Sequence, residues 1–528
     1  MIRVSGIKIG IDESQDILPS LVAKKLKITV ADLLEFRIFK ESIDARRGSV
    51  NFVYTIDVHV KNEDSFLRKK IPGVAQTPVL AYEMPPKLDS PIATPPVVVG
   101  FGPAGMYAAL LLAECGYNPI VLERGQDVDA RAASVDLFWK DGILNPESNV
   151  QFGEGGAGTF SDGKLTTRVK DLRGRKVLEE LVAAGAPPEI LYEAHPHVGT
   201  DLLRGVVKNI RKKIIALGGQ VLFNTKAEDF EFTDGQITSV ITNKKEVIKT
   251  NHIIIAVGHS ARDTFTTLFE HKLDMSAKPF AIGVRIEHPQ KLIDTAQYKE
   301  FAGHPKLGAA EYRLTHQASN DRGVYTFCMC PGGFVVPSAS IPETVVTNGM
   351  SEHDRAQENA NSAILVQVSA ADFGSDHPLA GMHFQRDLEN HAFILGGSNY
   401  KAPAQLVSDF LANRPSTALG TVTPSFATGV TLTNLHDLFS EDICTTIAEG
   451  IRAFGEKLHD FDLGDAVLTA VESRSSSPVR MIRDTDTLQS TNMRGIYPSG
   501  EGAGFSGGIV SSAIDGLKCA EAVIANYQ

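Results

Sequence analysis

The sequence predicts an α/β chain in which a Rossmann-type dinucleotide-binding domain is split by a mostly β insertion and preceded by a small α/β unit. Three observations predict it. A strand, glycine turn and helix signature occupies Val97–Gly105. Short apolar runs then alternate with helical spacing to about Phe269. After a long strand-rich stretch, about the last 60 residues return to a strand, a glycine-rich turn and a helix. At 528 residues the chain is long enough for several domains. Hydrophobic residues at 43% and charged residues at 22% exclude disordered and fibrous classes.

Residues 1–70 read as a small α/β domain. Ile2–Ile11 reads as a strand, and Ile17–Leu26 has helical spacing with Lys24, Lys25 and Lys27 near its end, where cations suit the helix dipole. Val50–Val60 alternates with period two and is rich in β-branched residues. Seven prolines in 26 residues make 71–96 a semi-rigid linker that should form neither helix nor sheet. Residues 97–270 open the dinucleotide-binding domain, with Val97–Gly100, Pro119–Leu122, Gln220–Phe223 and Ile253–Val257 as buried parallel strands. Residues 271–470 are the inserted substrate domain, strand-rich to Val368 and more helical from Pro378 to Leu458. Residues 471–528 complete the first domain.

The net charge of −11 argues against a nucleic-acid binder working through its whole surface. Residues 1–70 carry +3 and the remainder −14, a charge asymmetry that hints at an anionic partner for the N-terminal unit. Five scattered cysteines without a CxxC provide neither a disulfide framework nor a zinc knuckle, and no metal-ligand spacing appears. The start, MIRVSGIKIGIDESQD, lacks the pattern of a signal peptide, and no run approaches 18 apolar residues. These features lead to the expectation of a cytoplasmic protein without a membrane segment.

Val97–Gly105, VVVGFGPAG, fits G-x-G-x-x-G. Gly100 permits the sharp turn, Gly102 lets backbone approach a pyrophosphate, and Gly105 lets the helix pack on the strand. After Pro103, the helix Ala104–Cys115 points its N-terminal N–H groups at the phosphates. A second strand ends at Glu123, 18 residues after Gly105, where a carboxylate can accept from ribose hydroxyls; Arg124 follows it.

Three further segments favour FAD over NAD alone. GEGGAGTFSDGK at Gly153–Lys164 supplies Gly155, Gly158, Thr159, Ser161 and Lys164 along the cofactor. NHIIIAVG at Asn251–Gly258 ends in small residues, so Ala256 and Gly258, with Ala227 earlier, are candidate close contacts. TNMRGIYPSGE at Thr491–Glu501 ends in Gly500 and Glu501, whose carboxylate can accept from a ribityl hydroxyl. The turn Gly507–Gly508 then starts a helix at Ile509 whose positive end faces the isoalloxazine.

At these residues the chain resembles the FAD-binding superfamily of glutathione-reductase-type and amine-oxidase-type flavoproteins. QFGEGGAGTFSDGKL, HPHVGTDLL, KPFAIGVRIEHPQ, FCMCPGG and YPSGEGAGFSGGIVSSAIDG resemble, more closely, bacterial uncharacterised FAD-dependent dehydrogenases. The resemblance spans the chain and implies fold and FAD, without a substrate. Many relatives carry Asp where Glu501 stands here.

Outside these motifs, Cys328 and Cys330 sit two apart on a strand-like run, which would place both thiols on one face. They read either as a redox pair near the flavin or as two small buried hydrophobes. His197 is a candidate acid–base group or a loop residue. Arg480 clusters in sequence with Arg474 and Arg483, suiting an anionic substrate or reduced flavin, or forming an exposed basic loop. The expected activity is that of an FAD-dependent oxidoreductase exchanging hydride between noncovalent FAD and a small organic molecule, with NAD(P)H a candidate transient donor. An FAD-dependent RNA-modifying enzyme and a flavin-stabilised scaffold are the alternatives.

Overall fold

The computed structural model describes residues 1–46, 48–88, 90, 92–167 and 169–527. The chain is α/β, and its elements group into an N-terminal sheet, a parallel sheet with its helices, and a large, almost wholly antiparallel sheet.

The N-terminal sheet is antiparallel, in the order Leu33–Asp44, Asn51–Val60, Ile2–Gly10, Val74–Gln76. Helix Leu18–Leu26 covers it, burying Leu18, Val22 and Leu26 at the spacing of one helix face. The strand Leu33–Asp44 escapes sequence reading because it lies at a sheet edge with charged residues along its length. Val74–Gln76 corrects the linker expectation: it pairs with Ile2–Val4 as the opposite edge strand. The rest of the proline-rich segment, of which positions 89 and 91 lie outside the described residues, is strapped to the following domain. Tyr82 Oη donates to Glu521 at 2.7 Å, Leu88 N to the Cys115 carbonyl at 2.9 Å, and Tyr527 Oη to the Thr94 carbonyl at 2.9 Å. Proline removes donors from this strap, while its carbonyls still find partners.

Five short strands make the parallel sheet, in the order Ile496–Pro498, Ile253–Ile255, Val97–Val99, Ile120–Leu122, Gln220–Leu222. The three central strands read as unbroken apolar runs because both faces are covered. Helix Pro103–Glu114 is buried almost throughout and crosses the C-terminal helix Ile509–Tyr527. Gly516 makes that crossing possible: a Cβ there would lie 2.0 Å from the Ala104 carbonyl oxygen.

The seven-stranded sheet runs Thr315–Gln317, Gly323–Cys330, Asn359–Val368, Phe280–Pro289, Val467–Glu472, Ala402–Leu406, Val430–Leu432. All pairs are antiparallel except the last. Helix Glu441–Lys457 packs on it through Ile443, Ile447, Ile451 and Phe454. This sheet and the parallel sheet have separate cores, and a cavity lies where they meet. Among the described residues no helix is long and apolar enough to cross a membrane.

Candidate cofactor and active site

A cavity of about 400 Å³ opens at the C-terminal tips of the parallel strands, where open α/β sheets place their ligands. Its first wall is the turn after Val97–Val99. Gly100 sits at φ +97°, and a Cβ there would lie 2.4 Å from the Ala256 carbonyl oxygen. A Cβ on Gly105 would lie 1.9 Å from the Gly100 carbonyl oxygen, so Gly105 shapes the turn without lining the cavity. Gly102 differs. A Cβ there would meet only Gly156 Cα, at 3.7 Å, so its smallness leaves space for a ligand. Pro103 and Ala104 begin the helix whose N-terminus points into that space.

Glu123 is buried at the second strand's end, and three backbone N–H groups already hold its carboxylate. Phe101 N donates to Oε2 at 2.8 Å, and Gly125 N and Gly153 N each donate to Oε1 at 2.9 Å. The carboxylate therefore ties three loops together at the cavity wall, a role the ribose expectation does not include. Arg124 also lines the wall, stacked over Phe152 and paired with Glu147 and Asp263 at 2.8 Å each. The loop from Gly153 runs along the cavity through Gly158, Ser161 and Lys164. Gly155 and Thr159 stand behind it: Gly155 has φ +82°, and Thr159 Oγ1 donates to the Glu154 carbonyl at 3.2 Å. Ala227, Ala256 and Gly258 form a further wall.

Gly500, Glu501, Gly507, Gly508 and Ile509 close the far side, with the N-terminus of the last helix facing inward. Gly500 N donates to Asp515 at 2.7 Å, and Arg483 grips the same carboxylate at 2.6 Å. Burial raises the Glu501 carboxyl to about 7, with Lys278 opposing the shift.

The far wall adds Phe327, Cys328 and Glu472 from the seven-stranded sheet, Arg474 and Ser475 just after it, and Asn348 from a separate two-stranded ribbon, Phe334–Pro337 with Thr347–Met350. Asn348, Glu472 and Phe327 carry no local motif; strand pairing across distant segments brings Glu472 and Phe327 here, and a local two-stranded ribbon brings Asn348. Fully buried Arg285 lies beneath them, paired with Glu472 at 3.0 Å and donating to the Cys328 carbonyl at 3.1 Å. His259 lines the cavity as a neutral imidazole, because burial and the nearby Arg474 and Arg262 lower it to about 3.

Four expectations change. The thiols of Cys328 and Cys330 do not share one strand face, because the pairing slips between Phe327 and Cys330 and Cys328 has φ +42°. Cys328 reaches the cavity, whereas Cys330 is buried behind it. His197 does not line the cavity; it stacks on His353 and bonds the His353 carbonyl at 2.9 Å. Arg480 is exposed, covers the Phe505 ring and donates to the Gly504 carbonyl at 2.8 Å. Arg474, Arg480 and Arg483 consequently form no common anion site, since Arg474 pairs with Glu389 and Arg483 with Asp515.

The cavity's donor set fits a flavin dinucleotide. Open space surrounds Gly102, Gly258 and Gly507, two helix N-termini face inward, and Glu123 and Glu501 stand on separate walls. A family model described as FAD-dependent protein, C-terminal domain-like matches residues 279–475, and a domain of unknown function matches residues 1–59. An uncharacterized protein of Clostridium beijerinckii is 50% identical over 529 residues, covering 100% of this chain and 99% of its own. Among solved structures, halogenase PltM is 12% identical with a TM-score of 0.40, covering 82% of this chain and 70% of its own. Glycine oxidase from Bacillus cereus is 10% identical with a TM-score of 0.32, covering 82% of this chain and 96% of its own. These structural likenesses are distant, and the fold is read from the chain's own sheet order. With its Clostridium relative, the chain belongs to a family of FAD-dependent flavoproteins, and FAD is its cofactor.

Proposed function

We propose that the protein is an oxidoreductase in which hydride passes between a small organic substrate and noncovalently held FAD. The observation that carries this reading is the composition of the cavity: dinucleotide-binding turns make one side and the seven-stranded sheet makes the other. FAD supplies reversible two-electron chemistry when bound. The chain's own residues hold and orient. The Pro103 helix N-terminus faces the pyrophosphate space, Glu501 accepts from ribityl hydroxyls, and the helix at Ile509 offers its positive end to the ring. Phe327, Cys328, Asn348 and Glu472 form the wall available to substrate. Lys164 braces that wall, with Nζ donating to the Met329 carbonyl and pairing with Glu311 at 3.3 Å.

Anaerobic titration with NADH and then NADPH, followed through the flavin's visible absorbance, tests the reading. Bleaching by either supports a nicotinamide-driven reductase. Reduction by dithionite alone points to a different organic donor. A flavin that stays oxidised with every organic donor overturns the enzyme reading in favour of a scaffold. Gly102→Val is the control: its side chain enters ligand space, so the variant should fold with wild-type stability yet emerge colourless.

Glu501 provides a pH test. Ribityl hydroxyls donating to Glu501 favour its ionised form, so binding FAD releases a proton. FAD affinity should rise by up to about tenfold per pH unit as pH climbs toward about 7, then level off. Glu501→Gln should flatten that dependence in fluorescence titrations of the apoprotein. An unchanged slope in the variant would remove Glu501 from the binding site.

A further inference from the structure

Cys328 occupies a rare backbone state. Phe327 faces Ala363 and Cys330 faces Asn361, so three positions on this strand span two on its partner. The extra residue makes a bulge, with Cys328 at φ +42°. A non-glycine residue held there is strained, and such strain persists only when its surroundings over-determine it. Here they do. Arg285 holds the Cys328 carbonyl at 3.1 Å, Lys164 holds the Met329 carbonyl, and the Cys330 thiol donates to the Cys328 carbonyl at 3.3 Å. In a regular strand, residues two apart have Cα atoms separated by about 6.6 Å, near the upper limit for a disulfide. The bulge breaks that regular extended spacing and leaves Cys328 at the cavity while Cys330 stays buried.

The charges also single out this pair. The neighbouring Cys330 thiol and the Arg285 and Lys164 cations lower the Cys328 thiol despite burial. Burial instead raises Cys115, Cys444 and Cys519. Cys328 therefore combines cavity access with thiolate character, the combination that makes a cysteine reactive.

We propose that Cys328 and Cys330 form a redox-active dithiol that exchanges two electrons with FAD inside this cavity. The inference rests on the oxidoreductase reading above. In one direction the two S–H bonds break and one Sγ–Sγ bond forms. FAD takes up the two electrons and two protons released and becomes FADH2. The reverse direction restores both thiols. Because the exchange is reversible, a substrate disulfide or dithiol can meet the pair at the cavity-facing Cys328.

The test uses holoprotein oxidised with diamide, freed of reagent and photoreduced anaerobically. The native protein should take up two electron pairs per chain before its flavin is fully bleached, whereas Cys328→Ser and Cys330→Ser should take up one. In parallel, alkylation after denaturation and peptide mass measurement should show that diamide removes only Cys328 and Cys330 from the five thiols. Uptake of one electron pair by the oxidised native protein overturns the proposal, as does persistence of all five thiols. Should Cys330→Ser fail to fold, the cavity-facing Cys328→Ser and the native thiol count still decide the matter. A colourless chain that takes up no FAD would defeat the cofactor assignment, while its thiol count would remain readable.

Discussion

Glu389→Ala is expected to destabilise the protein by about 3–5 kcal/mol, measured by denaturant unfolding at neutral pH. Glu389 is fully buried on helix Ala380–Leu395. Arg262 reaches it at 2.9 Å, Arg474 grips it through two nitrogens at 2.9 and 2.8 Å, and Ser473 donates at 2.8 Å. Arg474 also bonds Ser260 and Ser340 at 3.0 and 2.6 Å. One carboxylate thus neutralises part of two buried guanidinium charges and joins the two sheet systems beside the cavity. Truncation leaves both cations in a poorly polarisable interior, where the uncompensated charge dominates the cost.

The pH sign provides an independent check. Burial raises Glu389, yet Arg262 and Arg474 outweigh it and hold the carboxyl at about 2, below its ordinary 4.5. The stabilisation is therefore fully present above pH 4.5 and is lost as pH falls toward 2. The gap between native and variant stability should narrow over that range. A constant gap would show that lost packing, and not charge, sets the cost.

Glu123→Ala is expected to weaken FAD binding by about 10²–10⁴-fold, assayed by fluorescence titration and by flavin retained through gel filtration. The carboxylate receives the N–H groups of Phe101, Gly125 and Gly153 and so braces the turn that receives the dinucleotide. Each buried N–H left unsatisfied costs about 1–3 kcal/mol. Glu123→Gln keeps the shape and one acceptor oxygen, so its loss should be intermediate. Wild-type affinity in the alanine variant would mean that the turn holds its form without this anchor. The contrast with Gly102→Val is informative, because that change fills ligand space and leaves the braces intact.

The glycine turn at Gly100–Gly105, the acid at Glu123 and the late Gly500–Glu501 segment were legible in the sequence because each is local. Steric demands act between residues close in the chain, and a strand followed by a glycine turn and a helix N-terminus is one continuous device. Edges and loops were less legible. Leu33–Asp44 has no apolar period to read, and Val74–Gln76 hides among prolines yet finds a partner in Ile2–Val4. The arginine cluster shows the opposite error: closeness in sequence suggested a common site, but each side chain found a different partner.

The sequence by itself determined the fold class, the FAD-binding turns and the candidate pair Cys328 and Cys330. The tertiary structure alone decided which of these groups face the cavity. Glu472 and Phe327 arrive there through pairing between strands far apart in the chain, Arg285 lies below them through the same sheet, and Asn348 joins them from a separate two-stranded ribbon. Cys328 separates from Cys330 because a bulge breaks the two-residue alternation that sequence spacing assumes. Local sterics are written in neighbouring residues, whereas cavity walls and buried charge networks form only when distant segments exclude water together.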